Sequence, residues 1–244
     1  MKIPSLILLS FLLLIQSQAS LEQVESIVAK ARAHLGTESA LDAVQSIRYH
    51  GKITLFQEDD TQKEGEVVLT FMKPCSQRIE FIFPDQTMVT GFNGHEGWEL
   101  TEGKLEDGKP YHGVRPMSFD DTRRTKAASV ENLCFFHPFS FDYENVKDRG
   151  TATVDGKTTR RIDFIHNGSY VFSRFFDPNT GDLLRSELDT GVVTVETGEM
   201  SVDGIRFSDK IVGLVDEKAT YEMDFDKIEV NSVINPAIFD YPDN

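Results

Sequence analysis

The residues of this chain that could do chemistry are plentiful, but their spacing carries little. Six histidines (His34, His50, His95, His112, His137 and His166) are scattered with no pair at metal-ligand spacing. His95-Glu96-Gly97-Trp98-Glu99 starts like the zinc-protease motif HExxH, but Glu99 stands where the second histidine belongs. Asp177-Pro178-Asn179-Thr180-Gly181-Asp182 matches a calcium loop for three positions, then puts Asp182 where an EF-hand needs glycine, so it reads as a hairpin turn. Serine, histidine and aspartate are all present, yet no serine sits in a GxSxG elbow. Carboxylate pairs such as Asp120 and Asp121 belong to a solvated acidic surface, and Arg123, Arg124 and Lys126 form the densest basic patch. Asn167-Gly168-Ser169 is a glycosylation sequon, meaningful only in a eukaryotic secretory pathway. These patterns imply no enzyme, no metal and no cofactor.

Composition narrows the partners. A formal charge of −15 disfavours nucleic acid, because phosphate binding needs clustered Lys and Arg. Residues 1–20 have a basic start, an apolar run from Leu6 to Ile15 and small residues near a plausible cut, the pattern of a secretory signal peptide. That run is shorter than the roughly 20 apolar residues a membrane-spanning helix needs. Residues 21–244 then suffice for one domain, since all-β domains run to about 200–250 residues. Eighteen phenylalanines against one tryptophan suit a wide interior, solid or hollow. Cys75 and Cys134 are either one disulfide of an exported protein or two separate buried thiols; a bond closing that loop would contribute roughly 4 kcal/mol.

The elements that must carry these residues follow from periodicity. Leu21, Val24, Ile27, Val28, Ala31 and Leu35 recur at helical spacing and Gly36 stops them, predicting a helix over 21–35. Thr37 caps a shorter helix whose Ala40, Leu41, Val44 and Ile47 share a face. From Tyr49 the period becomes two, predicting strands around Tyr49–Leu55, Val67–Phe71 and Ile79–Phe83, then a hairpin of 86–93 and 95–101 pivoting on Gly94. Residues 102–141 interrupt this meander. They hold a polar loop, a capping box at Ser118-Phe119-Asp120-Asp121, a helix of about 119–134 and the apolar cluster Leu133-Cys134-Phe135-Phe136-His137-Pro138-Phe139. The excursion either plugs one end of the sheet or forms a mobile lid. Strands resume at Ile162 and continue through Tyr170–Phe176, Leu183–Leu188, Val192–Thr197, Ile205–Val215 and Ala219–Val230, with a slip of parity after Phe225 that predicts a bulge. The expected fold is mainly β: a curled antiparallel sheet of about ten or eleven strands, an incomplete barrel, with N-terminal helices and a helical insertion.

Three stretches resemble the LolA-like superfamily of bacterial envelope proteins. They are Leu35-Gly36-Thr37-Glu38-Ser39-Ala40-Leu41-Asp42-Ala43-Val44-Gln45-Ser46-Ile47-Arg48-Tyr49-His50-Gly51, a passage from helix to strand; the hairpin Phe92-Asn93-Gly94-His95-Glu96-Gly97-Trp98; and the closing strands from Val202-Asp203-Gly204 through Phe225-Asp226-Lys227 to Ile238-Phe239-Asp240-Tyr241-Pro242. The resemblance implies a half-barrel over residues 21–244 with helices against its open side and an apolar cavity for acyl chains. It also implies a periplasmic or secreted carrier touching membranes only peripherally or transiently. Partners would be lipid or lipoprotein acyl chains; a sensor or scaffold that binds another envelope protein with the same fold is the alternative. Inward-facing candidates for the cavity wall are Phe71, Phe81, Phe83, Met88, Trp98, Phe164 and Phe172, with Leu133, Phe135 and Phe136 as lid.

Overall fold

A computed structural model describes residues 22–105, 107–137 and 145–242. The expected signal peptide, and Pro138 and Phe139 of the apolar cluster, lie outside them. Helix α1 (22–35) buries Val24, Ile27, Val28 and Ala31, the stripe its periodicity predicts. Helix α2 (Glu38–Ala43) starts where Thr37 Oγ1 accepts from the Ala40 amide. It is shorter than expected: Val44 caps it in extended conformation and Ile47 already belongs to a strand.

The strands are β1 (Ser46–Phe56), β2 (Gln62–Met72), β3 (Ser76–Ile82), β4 (Gln86–Phe92), β5 (Gly97–Lys104) and β6 (Pro110–Pro116), followed by helix α3 (Phe119–Cys134). After α3 come β7 (Val146–Val154), β8 (Lys157–His166), β9 (Tyr170–Phe176), β10 (Leu183–Leu188), β11 (Val193–Thr197), β12 (Met200–Val202), β13 (Ile205–Phe207), β14 (Lys210–Val215) and β15 (Lys218–Val230). Of the fifteen strands among the described residues, thirteen form one sheet in the order β6-β5-β4-β3-β2-β1-β15-β14-β11-β10-β9-β8-β7, and β12 pairs with β13 separately. The sheet has more strands than expected because β6 and β7 were hidden. Both are its edges, and an edge needs no alternating apolar face; β6 even begins and ends in proline, which edges tolerate. The stretch from Ile205 to Val215 is also two strands rather than one.

Two meanders thus meet along β1 and β15. Gly51 pairs with Phe225 and His50 with Lys227, so Asp226 is the extra residue of a bulge, at the place where the parity slips. Gly51 is required there, since a Cβ would sit 2.0 Å from the Asp224 carbonyl oxygen. One apolar cluster joins Leu41, Val44 and Ile47 to β1, β2 and β15; a second joins α1 and α3 to Ile162, Phe164, Tyr170, Phe172 and Phe176. No helix among the described residues is long and apolar enough to cross a membrane.

Candidate functional site

Helix α3 lies across β2 to β5 and is fastened at both ends and in the middle. At its start Ser118 Oγ accepts from the Asp121 amide, and Tyr170 Oη donates to Asp120 at 2.6 Å. Midway, Ser129 Oγ donates to Gln77 Oε1 at 2.9 Å. Two residues on, Glu131 sits with its side chain 1% exposed, 2.7 Å from His166 Nε2 and accepting from Arg174 Nη2 at 3.2 Å. At the C-terminus the buried Arg32 of α1 donates from Nη1 to the carbonyls of Cys134 and Phe135, where cations suit the helix dipole. The same guanidinium binds Glu38 and Asp42, tying α1, α2 and α3 together. Hydrogen bonding to Arg32 lowers the Glu38 carboxyl below its ordinary range.

Beneath α3 the sheet encloses a cavity of about 580 Å³. Its greater part is apolar: Ile53 and Leu55 of β1, Leu69 and Phe71 of β2, Ile79 and Phe81 of β3, Met88 of β4, and Met223 of β15, with Phe172 and Leu188 on the far side. One wall is polar, carrying Arg174, Ser186, Thr194 and Glu196 of β9 to β11, with Glu131 and Asn132 of α3 above. A second cavity of about 340 Å³ shares Tyr49, Glu131, Asn132, Arg174, Glu196 and Ile211 with the first and is closed by Phe135 and Phe136.

Of the residues expected to line a cavity, Phe71, Phe81, Met88 and Phe172 are brought together on this wall. Phe83, Trp98 and Phe164 are not. Phe83 is buried in the cluster of β1 and β2 with Lys63 Nζ over its ring. Phe164 packs under Phe136 in the cluster of α1 and α3. Trp98 faces the opposite side of the sheet, because its register partner is Gly91, one residue out of phase with Phe92 and three from Met88. There it packs with Val89 and Leu100 and donates from Nε1 to the Phe239 carbonyl at 2.9 Å. Gly91 leaves room for the indole, since a Cβ would lie 2.2 Å from it. Of the lid residues, Phe135 meets Phe207 edge-on and Phe136 meets Phe176, while Leu133 is buried in the core.

The candidate reactive side chains of the sequence each have a place in the fold. Cys75 and Cys134 are two separate buried thiols. Burial, with the charge of Glu131 beside it, pushes the Cys134 thiol far above its usual range, so it is no thiolate nucleophile. The His95-Glu96 stretch is a turn in which Asn93 Oδ1 accepts from both amides, and Glu99 pairs with Arg115. Asp177 Oδ1 likewise accepts from Asn179 and Thr180 in the turn before β10. Glu38, Asp42 and His137 bring possible ligand atoms within 4.8 Å of one another, but Arg32 occupies both carboxylates. Arg123 and Arg124 spread over the Tyr170 ring, and Arg124 also pairs with Asp189. Sequence reasoning missed Arg32, Glu131 and the polar row of β9 to β11.

No family model and no curated protein matches the chain. Solved structures do. A domain from Vibrio parahaemolyticus described as outer membrane lipoprotein-sorting is similar over 91% of this chain and 96% of its own, with a TM-score of 0.54 and 11% identity. A LolA superfamily protein from Nitrosomonas europaea is similar over 89% of this chain and 97% of its own, with a TM-score of 0.54 and 10% identity. At that identity the likeness is one of architecture: the chain has the LolA-like fold, an open antiparallel half-barrel with helices on its concave side.

Proposed function

We propose that the protein is an exported, non-enzymatic binding protein that shelters lipid or lipoprotein acyl chains under α3. The observation that carries this is the cavity of about 580 Å³, walled mostly by aliphatic and aromatic side chains. Its size falls in the range of about 300–1,000 Å³ typical of small-molecule sites. Each methylene moved into it from water gains about 0.8 kcal/mol. The lipoprotein-sorting description of the Vibrio parahaemolyticus domain, whose fold this chain shares, supports the same reading. Residues 1–20 are removed on export, and residues 21–244 work as one unit in the periplasm or outside the cell, touching membranes only peripherally or transiently.

Native mass spectrometry of the mature protein, purified from an envelope fraction without detergent, tests this directly. The expected spectrum contains adducts of acyl-lipid mass that disappear on delipidation, and the delipidated protein then takes up a fluorescent zwitterionic lysophospholipid. Absence of both would overturn the proposal. If lipid-free protein instead retained an envelope protein in a pull-down, the scaffold reading would take its place.

A further inference from the structure

The polar wall of the cavity has a pattern of its own. Arg174, Ser186 and Thr194 stand directly opposite one another on β9, β10 and β11. Ser186 is 3% exposed and its hydroxyl has no partner; Arg174 Nε is buried and equally unpartnered, although Nη2 donates to Glu131. Buried donors in that state are few in folded proteins, and two side by side on a cavity wall point to an acceptor supplied from outside the chain.

Glu196 lies two residues beyond Thr194 on the same face of β11 and lines both cavities. Same-face neighbours on a strand are about 7 Å apart, a span that one small headgroup can bridge. Among the described residues the Glu196 carboxylate makes no hydrogen bond or ion pair. The cations around it are committed elsewhere: Arg174 to Glu131, Arg206 to Glu199, Lys210 to Glu222 and Asp224. His34 is held by Asp182. One negative charge is therefore left without a counterpart at the end of an apolar chamber. Its field reaches the phenols of Tyr49 and Tyr221, which burial and then Glu196 raise above their ordinary range. An anionic head would meet Glu131 and Glu196 against one arginine already paired, which disfavours a free fatty acid or any head of net negative charge.

Resting on the acyl-binding reading above, we infer that the occupant is an amphiphile with a zwitterionic head. Its protonated amine sits on Glu196, its phosphate oxygens accept from the Ser186 hydroxyl and Arg174 Nε, and its acyl chain runs toward Phe81 and Met88. Arginine suits phosphate through its several fixed donors, and each such bond is charge-assisted.

The test uses lysophosphatidylethanolamine and lysophosphatidylglycerol of equal acyl length, titrated calorimetrically into the delipidated mature protein below their micelle concentrations. They share chain and phosphate and differ in whether the head carries an amine. Wild-type protein is expected to bind the ethanolamine lipid about tenfold more tightly, the worth of one charge-assisted contact. Glu196→Gln should erase that preference, weakening the ethanolamine lipid and relieving the glycerol lipid of like-charge repulsion, and Ser186→Ala should weaken both lipids alike. Unchanged urea midpoints establish that both variants fold. Equal binding of the two lipids by wild-type protein, or a preference that survives Glu196→Gln, overturns the inference while leaving acyl binding intact. Binding of neither lipid overturns the acyl-binding reading as well.

Discussion

Replacing Glu131 with leucine asks whether α3 is held to the sheet by charge or by apolar contact. In the native protein the Glu131 side chain is 1% exposed, and Arg174, its partner at 3.2 Å, is 13% exposed. Leucine preserves most of the volume but removes the one carboxylate that, among the described residues, compensates a guanidinium whose Nε is already without a partner. Removing one member of a buried pair costs about 3–5 kcal/mol, because the other charge stays buried alone. Leucine's own burial returns part of this, so a net loss of about 3 kcal/mol is the working figure. With urea m-values of about 1–3 kcal/mol/M, the midpoint falls by at least ~1 M. Equilibrium urea unfolding of delipidated protein, followed by far-ultraviolet circular dichroism, measures it free of stabilisation by bound ligand. The double variant Glu131→Leu, Arg174→Met removes the stranded cation too and should recover at least half of the loss. A single-variant cost under about 1 kcal/mol, or a double variant no better than the single, would show that the pair does not hold the helix.

Other outcomes follow from the same geometry. Burial alone would raise the Asp163 carboxyl, but hydrogen bonds from Arg161, Arg149 and Ser173 outweigh it and hold the group below the ordinary carboxylate range. Its folded form therefore adds stability that is fully present above the unfolded value of about 3.9 and fades as pH falls through the lower folded value. Asp163→Asn should lower the urea midpoint at neutral pH and flatten its decline between pH 5 and pH 2. Arg32→Met should cost about 3 kcal/mol or more, and hydrogen exchange should quicken at both the end of α3 and the start of α2, since one guanidinium serves both. Trp98 emission should stay unchanged when a zwitterionic lysophospholipid enters the cavity, because the indole lies on the other face of the sheet; a Phe81→Trp reporter in a Trp98→Phe background should respond. Trp98→Phe itself loses the bond to the Phe239 carbonyl and should cost about 1 kcal/mol by urea titration.

How much of this was legible in the sequence depended on which side of each element faced the interior. Strands β1 to β5 announce themselves by apolar residues at alternate positions and β9 by apolar residues on both faces, and Asp226 betrayed itself by shifting the alternation of β15. The capping box of α3 was equally local, since Ser118 and Asp121 need only each other. Strands β6 and β7 lie at the rims, where no apolar stripe is required; the residues of β6 read as loop and those of β7 gave no strand signal. The parity of Trp98 was open to inspection, but its significance depended on which face of β4 and β5 turned outward, a property of the whole sheet. Arg32 and Glu131 did leave a signal that could have been used: each stands four residues after a buried apolar residue, Val28 and Ala127, on the stripe its helix turns inward. A charge on such a stripe must meet a partner. Which partner it meets is a matter of long-range assembly, with 102 residues between Arg32 and the carbonyl of Cys134.

The bulge at Asp226 separates two things that strands usually determine together. Tyr221, Met223 and Phe225 point inward before it, and Ile228 and Val230 after it. If Asp226 were deleted, the apolar positions would fall into unbroken alternation, so the extra residue contributes nothing to the pattern of what is buried. What it contributes is curvature, applied on the seam where the two meanders join and opposite the glycine that lets the backbones close to contact. The volume under α3 is thus adjustable from a position that touches none of it: one residue gained or lost on β15 would reshape the chamber while every side chain on its wall stayed the same.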